Sequence, residues 1–558
     1  MLSRPQGCGL CYIPEAYGQQ THGIMGRQSA GREFLKAYVA ARKDETQFCV
    51  AATPDDFAMF GKQIERSGGD PGKAYHVGSN DVHSIARIGT LYWPDPVIAP
   101  LAWTRRSLSD SAYSLCGVTH TLSESGVIRA IQELFVTPVH EWDALICTSH
   151  AARKAVEAIA ADWSAYLEER VGAPGRLPLQ LPVIPLGVDA ERFRRTDATA
   201  AAGIALRRRL GIPDEAVVAL YFGRLNFLTK SHPTPMFMAL DEAASMAAGV
   251  DLRLVMVGQF SNPLVEAEFR DLAAKYCQKV PIHWVDGNDD IAAEASWYAS
   301  DFFISLSDNM QETFGMTVAE AMAASLPCIV SDWSGLRESV VDGETGFMVP
   351  SRLPSRNVGA MFMTRAAYGI ESFDDSVAAL HQVIDVDVSL CAARIATIAA
   401  NPDLRRKMAS QGRTRIEQCY DWAQIIAQYE DLWRELAAIR ASHGEAPVPR
   451  SSARPGQVDP FAAFGHFATG AIGPESRVSC LGGDARHRVL AIHANPSHTM
   501  LLPMLPPMQD MLGLVEFATE RRNASVAEIQ AAFRGVRVEK VELALLWLAK
   551  FGILKIVG

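Results

Sequence analysis

SLSDNMQETFGMTVAEAMAASLPCIVSDWSGLRESVVDGETGFMVP, residues 305–350, is the stretch on which the fold turns. It begins at the end of an apolar run, Phe302–Leu306, that reads as a buried strand. Phe314-Gly315 then turns the chain into a helix predicted over Thr317–Ala324, and Cys328–Ser331 is the next strand. A turn at the carboxyl end of a parallel strand is where open α/β sheets bind ligands. The free N–H groups at such a helix start suit a phosphate, aided by the helix dipole. Glu312 stands before the turn, in position to hydrogen-bond sugar hydroxyls. Glu320 stands inside the helix, in position to reach ribose hydroxyls. Two glutamates at this spacing also occur by chance on solvated helices, so the pair alone does not decide a function.

The same alternation continues outward. Ala216–Phe222 (AVVALYF) is a strand, Pro235–Ala248 a helix, Leu252–Val257 a strand ending at Gly258, and Ile282–Val285 another strand. The segment YFGRLNFLTKS places Arg224 and Lys230 just beyond the first of these strands. Singly they would be surface charges. Together they suit a diphosphate leaving group, whose charge grows as its bond to a sugar breaks. In the first half, Gly9–Ile13, Phe48–Ala52, Ala144–Thr148 and Leu181–Pro185 read as strands. Met25–Ala41 reads as a helix with Phe34, Leu35, Tyr38 and Val39 on its apolar face. The fold class is therefore α/β, with two doubly wound, Rossmann-like domains facing a cleft. Their expected extents are 1–200 and 201–420, with a crossover helix over 421–440. Residues 441–458 (ASHGEAPVPRSSARPGQV) form a linker by composition. In the tail, 459–558, helices are predicted over Ser525–Phe533 and Val538–Phe551 and a closing strand over Gly552–Val557. That is the pattern of a small α+β, winged-helix-like domain.

Composition narrows the function classes. The 558 residues are 48% apolar and 21% charged, as in ordinary globular proteins. A net charge of −10 and near-neutral charge in the tail argue against a nucleic-acid partner. Ten scattered cysteines form no framework, and the C-x-x-C of Cys8 and Cys11 has no second ligand pair, so reduced thiols are expected. The sequence contains neither a signal-peptide h-region nor an apolar run long enough to span a bilayer. A cytoplasmic protein without a transmembrane segment is the expectation.

Taken together, the G-R-L…K segment, VMVGQF, the E-x7-E segment, PCIVSDWSGLRESVVDGETGF and IPLGVDAERF (residues 184–193) resemble a family 4 glycosyltransferase of the bacterial type. The resemblance covers roughly residues 9–436 and implies the GT-B fold and transfer from a nucleotide diphosphate sugar, a UDP-sugar or GDP-sugar for example, by a retaining hexosyltransferase. It further implies that Arg224 and Lys230 contact the donor diphosphate and that Glu312 holds the donor sugar. Gly315 and Met316 would then offer backbone N–H groups, Glu320 would bind the ribose, and Gly258 would lie near the base. His120, in CGVTHTL, matches a histidine beside the transferred sugar, and the loop HGIMGRQSAGREFL would line the cleft through Gly23, Gly26 and Arg27. Lys230-Ser231 departs from the family's Lys-Gly. No cofactor and no metal are expected, because Arg224 and Lys230 can neutralise the leaving group. The acceptor (glycan, lipid, peptide or small molecule) stays open. The alternative is an inert GT-B scaffold whose C-terminal domain binds a peptide or protein partner. A phosphorylase would want a cofactor-binding lysine segment, and the sequence shows none.

Overall fold

The computed structural model describes residues 7–18, 26–355, 358–444 and 458–558. Gly23, Met25 and residues 445–457, most of the expected linker, lie outside the described residues. The chain forms two compact units, Met1–Ser452 and Ala453–Gly558.

The first unit contains two six-stranded parallel sheets. One is built from β1 (Gly7–Cys11), β2 (Gln47–Ala51), β3 (Ala74–Gly78), β4 (Gly89–Tyr92), β5 (Ser114–Val118) and β6 (Ala144–Ile146). The other is built from β7 (Val217–Phe222), β8 (Leu252–Gly258), β9 (Ile282–Asp286), β10 (Phe302–Ser305), β11 (Cys328–Ser331) and β12 (Gly346–Val349). The strand orders are β3-β2-β1-β4-β5-β6 and β12-β11-β10-β7-β8-β9. Both are the doubly wound order, which reverses between β1 and β4 and again between β7 and β10. Helices cover both faces, so the strands need apolar residues on both sides. Every residue of β5 and of β11 is buried accordingly. A two-residue antiparallel ribbon, β13 (Ser351–Arg352) with β14 (Asp385–Val386), follows the second sheet.

One expected strand is not formed. Residues 180–184 run beside β6 through two isolated parallel bridges, Ala144–Gln180 and Cys147–Val183. Pro182 and Pro185 have no N–H to give a ladder, so pairing stays intermittent.

The helix Trp422–Ser442 returns to the first sheet. Trp422, Ile425, Ile426, Tyr429, Trp433 and Leu436 join Phe34, Tyr38 and Tyr92 in one buried cluster. Arg440 fastens its far end by donating to the Gly89 carbonyl (2.5 Å) and Ser114 Oγ (2.7 Å). Under the same sheet, Arg105 makes a two-pronged pair with Asp143 at 2.6 and 2.9 Å, both side chains fully buried.

The second unit has a three-stranded antiparallel sheet of β15 (Arg477–Cys480), β16 (Ala524–Ser525) and β17 (Leu554–Val557), with β15 in the centre. Helices Met508–Glu520, Val526–Ala532 and Val538–Lys550 cover it, burying Met511, Leu514, Ile529, Leu545 and Leu548 around Val478. Ser525 and Glu528 form a reciprocal capping box that starts the middle helix.

Candidate active site

The crevice opens between the loops that leave β7 and β10, the two strands at the switch point of the second sheet. The Asn226 side-chain carbonyl accepts from the N–H groups of Leu228 (2.8 Å) and Thr229 (3.0 Å), folding the first loop back toward the cleft. Asn309, in the second loop, donates from its amide to the Leu228 carbonyl at 2.9 Å and so ties the two loops together. Trp333 Nε1 in turn donates to the Asn309 carbonyl at 2.9 Å.

These ties bring Lys230 Nζ to 3.1 Å from Glu312 Oε2. The other carboxylate oxygen, Glu312 Oε1, accepts from the N–H of Gly315 at 2.8 Å and of Phe314 at 3.4 Å. Burial pushes the Glu312 carboxyl up, but the Lys230 charge and these hydrogen bonds outweigh it and hold the group below its usual value. The Glu312 charge likewise raises Lys230. Gly315 takes φ +90°, which a side chain would strain, and caps the helix Met316–Ala323. Its N–H is engaged by Glu312, so Met316, one position on, presents the next amide of the helix start.

Arg224 stands close enough for its charge to oppose that of Lys230. Its Nε is buried without a hydrogen-bond partner, and Arg224 forms no ion pair among the described residues. The first loop thus sets two cations against Glu312, the one carboxylate of the second loop that pairs with Lys230, an excess that suits an anionic ligand. Glu320, within the helix, is pushed up to about 7 by burial, with the charge of Glu33 acting in the same sense and Arg192, Arg32 and Lys230 in the opposite one. Gly258 ends β8 hard against the first loop, where an added Cβ would lie 2.0 Å from the Gly223 carbonyl oxygen.

His120 lies just beyond β5 of the first sheet. Burial and the nearby Arg27 charge lower it to about 4, although the Pro94 carbonyl accepts a hydrogen bond from its ring. It is therefore a neutral imidazole at pH 7. Its backbone carbonyl accepts from Thr313 Oγ1 at 2.7 Å, which sets His120 beside the Glu312 loop. Gly26 begins the described part of the helix Gly26–Ala41 and has open space around it. The ion pair of Arg27, next to it, goes to Asp95 at 3.5 Å.

The structure thus gathers Arg224, Lys230, Glu312, Gly315, Met316 and Glu320 on the two loops and helix at one switch point, with His120 tied to them through Thr313. Sequence reasoning missed Thr313, Asn226, Asn309 and Asp308. Asp308 is buried, burial raises it to about 7, and its Oδ1 has no partner while Oδ2 takes the His232 N–H at 3.5 Å.

Residues 204–358 match the family model described as Glycosyl transferases group 1. The match takes in the second sheet from β7 to β12 and both loops that carry Arg224, Lys230 and Glu312. Among curated relatives, a D-inositol 3-phosphate glycosyltransferase of Geodermatophilus obscurus is 28% identical over 303 residues, 53% of this chain and 55% of that protein. One of Streptomyces avermitilis is 31% identical over 182 residues, 32% of this chain and 37% of that protein. The chain spans about half the length, or less, of the relatives it matches. In fold, the chain is similar to the Anabaena protein HepE, solved in complex with UDP and glucose. The two share 15% identity at a TM-score of 0.50 over 77% of this chain and 100% of that one. The likeness extends the GT-B arrangement across both sheets of the first unit.

Proposed function

We propose that this chain is a glycosyltransferase that takes a hexose from a nucleoside diphosphate sugar with retention of configuration, acting in the cytoplasm. The observation that carries the proposal is the half-buried Lys230–Glu312 pair beside Arg224, whose Nε has no hydrogen-bond partner among the described residues, at the β7/β10 switch point. In this reading Arg224 and Lys230 hold the diphosphate and stabilise it as the C1–O bond breaks. Glu312 and the Gly315–Met316 helix start hold the sugar, Glu320 the ribose, and His120 the far side of the transferred hexose. Gly258 leaves room for the base. The unpaired state of all ten cysteines supports a reducing compartment. The second unit exposes Phe461, Phe467 and Met500, which supports a peptide or protein partner for it.

A double displacement needs a free carboxylate close to the anomeric carbon. Glu312 is engaged by Lys230 and two amides, which supports a same-face route instead. There the leaving phosphate oxygen takes the proton of the acceptor hydroxyl as the new C1–O bond forms. D-Inositol 3-phosphate, named for the relatives, is the first acceptor to try.

The test is thermal stabilisation by UDP-, GDP- and ADP-sugars, with Arg224→Ala beside the wild type, followed by turnover with candidate acceptors. A shift with one donor class, lost in Arg224→Ala, is the expected result. Turnover in that variant should fall about a hundredfold or more, the usual loss for one preorganised charge-stabilising donor. No shift with any donor would refute the proposal.

A further inference from the structure

The two sheets of the first unit are tied across the cleft at points that none of the proposed ligand contacts use. Thr313 takes part twice: its hydroxyl donates to the His120 carbonyl, and its own carbonyl accepts from Ser149 Oγ, both at 2.7 Å. Ser149 caps the helix His150–Val171 with the same hydroxyl, accepting from the Ala152 N–H at 3.0 Å. The next amides of that helix, His150 and Ala151, donate to the two carboxylate oxygens of Glu338 at 2.9 and 3.0 Å. Glu338 belongs to the short helix Leu336–Ser339 of the other domain. Its carbonyl is held by Arg415 at 2.7 Å and Tyr420 at 2.9 Å, so the side chain projects from a fixed base. A third tie runs from the Ser125 N–H to Asp374 at 2.9 Å.

The physical logic is that of a helix start served from outside. The first amides of a helix have no partner within it, and its dipole favours a negative charge there. A carboxylate of the opposite domain supplies both. Thr313 is bonded directly to Glu312, whose carboxylate holds Lys230 and the Gly315 amide. Where Thr313 sits against His120 therefore decides where Glu312 sits against anything bound in the first domain.

We propose that Thr313 and Glu338 are positioning residues: they close a clasp between the domains that sets the Glu312 loop against His120 for transfer. This rests on the glycosyltransferase reading for its kinetic consequence, though not for the existence of the clasp. Nucleotide binding belongs to the second domain, so losing the clasp should lower kcat and spare the donor KM.

Two measurements on the full chain test it. Hydrogen exchange at His150 and Ala151, with UDP-glucose present, should run at least about tenfold faster in Glu338→Ala. Thr313→Val should lose about tenfold in kcat, the worth of one hydrogen bond, with the donor KM within about twofold. Thr313→Ser, which restores the hydroxyl, should recover the rate. Thermal midpoints close to wild type would show that each variant folds. Unchanged exchange in Glu338→Ala, unchanged kcat in Thr313→Val, or no rescue by Thr313→Ser would each overturn the proposal. Absence of turnover in the wild type would count against the glycosyltransferase reading, while the exchange rates still decide the clasp.

Discussion

Glu320 offers a prediction that needs no knowledge of the acceptor. Burial raises it to about 7, from an ordinary 4.5. If its carboxylate accepts hydrogen bonds from a ribose, only the ionised form binds well. About nine-tenths of the free protein is ionised at this position at pH 8, and about one-tenth at pH 6, so the donor Kd should rise about tenfold between them. That is about 1.4 kcal/mol, the cost of removing one proton one pH unit below its pKa. The probe should be UDP-glucose, because its diphosphate diester does not titrate in this range, whereas the terminal phosphate of UDP does. His120, lowered to about 4, stays neutral throughout and adds nothing. Isothermal titration calorimetry in buffers of different ionisation enthalpy reads both quantities, and near pH 7 about half a proton should leave per UDP-glucose bound. Glu320→Gln removes the titration and should flatten the curve. A Kd that stays level from pH 6 to 8 in the wild type would place Glu320 away from the nucleotide. A slope that survives in Glu320→Gln would assign the proton to another group, Asp308 first.

Three further outcomes are expected. Between about pH 4 and 7 the folded chain keeps the Asp308 proton that the unfolded chain has lost, so the wild type loses stability as pH rises through that window. Asp308→Asn should be increasingly the more stable, by at most about 4 kcal/mol above pH 7; urea midpoints at pH 5 and 8 showing a constant gap would refute this. Gly258→Ala, whose Cβ would meet the Gly223 carbonyl oxygen at 2.0 Å, should destabilise by about 1–3 kcal/mol and abolish the UDP-glucose thermal shift. Arg105→Ala strands a fully buried Asp143 carboxylate and should cost about 3–5 kcal/mol in urea unfolding, whatever ligand is present.

Five strands of the second sheet were legible, the clearest being those buried on both faces that read as apolar runs, as in β7 and β11, whereas β12, only GFMV and opening on a glycine, went unread. β3, β4 and β5 were not legible either. Tyr75 leaves edge strand β3 largely exposed, β4 is only GTLY, and β5 is broken by Ser114 and Gly117. The central strand of the second unit, RVSC, is too short to show a period. In the crevice, Glu312, Lys230 and Glu320 could be singled out as candidates because each follows or enters a readable element. Asn226 and Asn309 carried a local signal, an asparagine able to bond the backbone two residues on, that went unused. Thr313, Ser149 and Glu338 carried none. Their partners across the cleft lie more than a hundred residues away in sequence, and only the closing of two domains on each other brings them together.

The helix Trp422–Ser442 has a consequence for how the molecule is made. It supplies Trp422, Tyr429, Trp433 and Leu436 to the core of the first sheet, whose last strand ends at Ile146. On a ribosome adding roughly 5–20 residues per second, that sheet waits some 15–55 seconds for the missing wall. Through that interval Phe34, Tyr38 and Tyr92 are uncovered on a nascent chain. A gene fragment ending after the first domain should therefore yield aggregates or chaperone-bound protein, and supplying residues 421–444 as a separate peptide should rescue it.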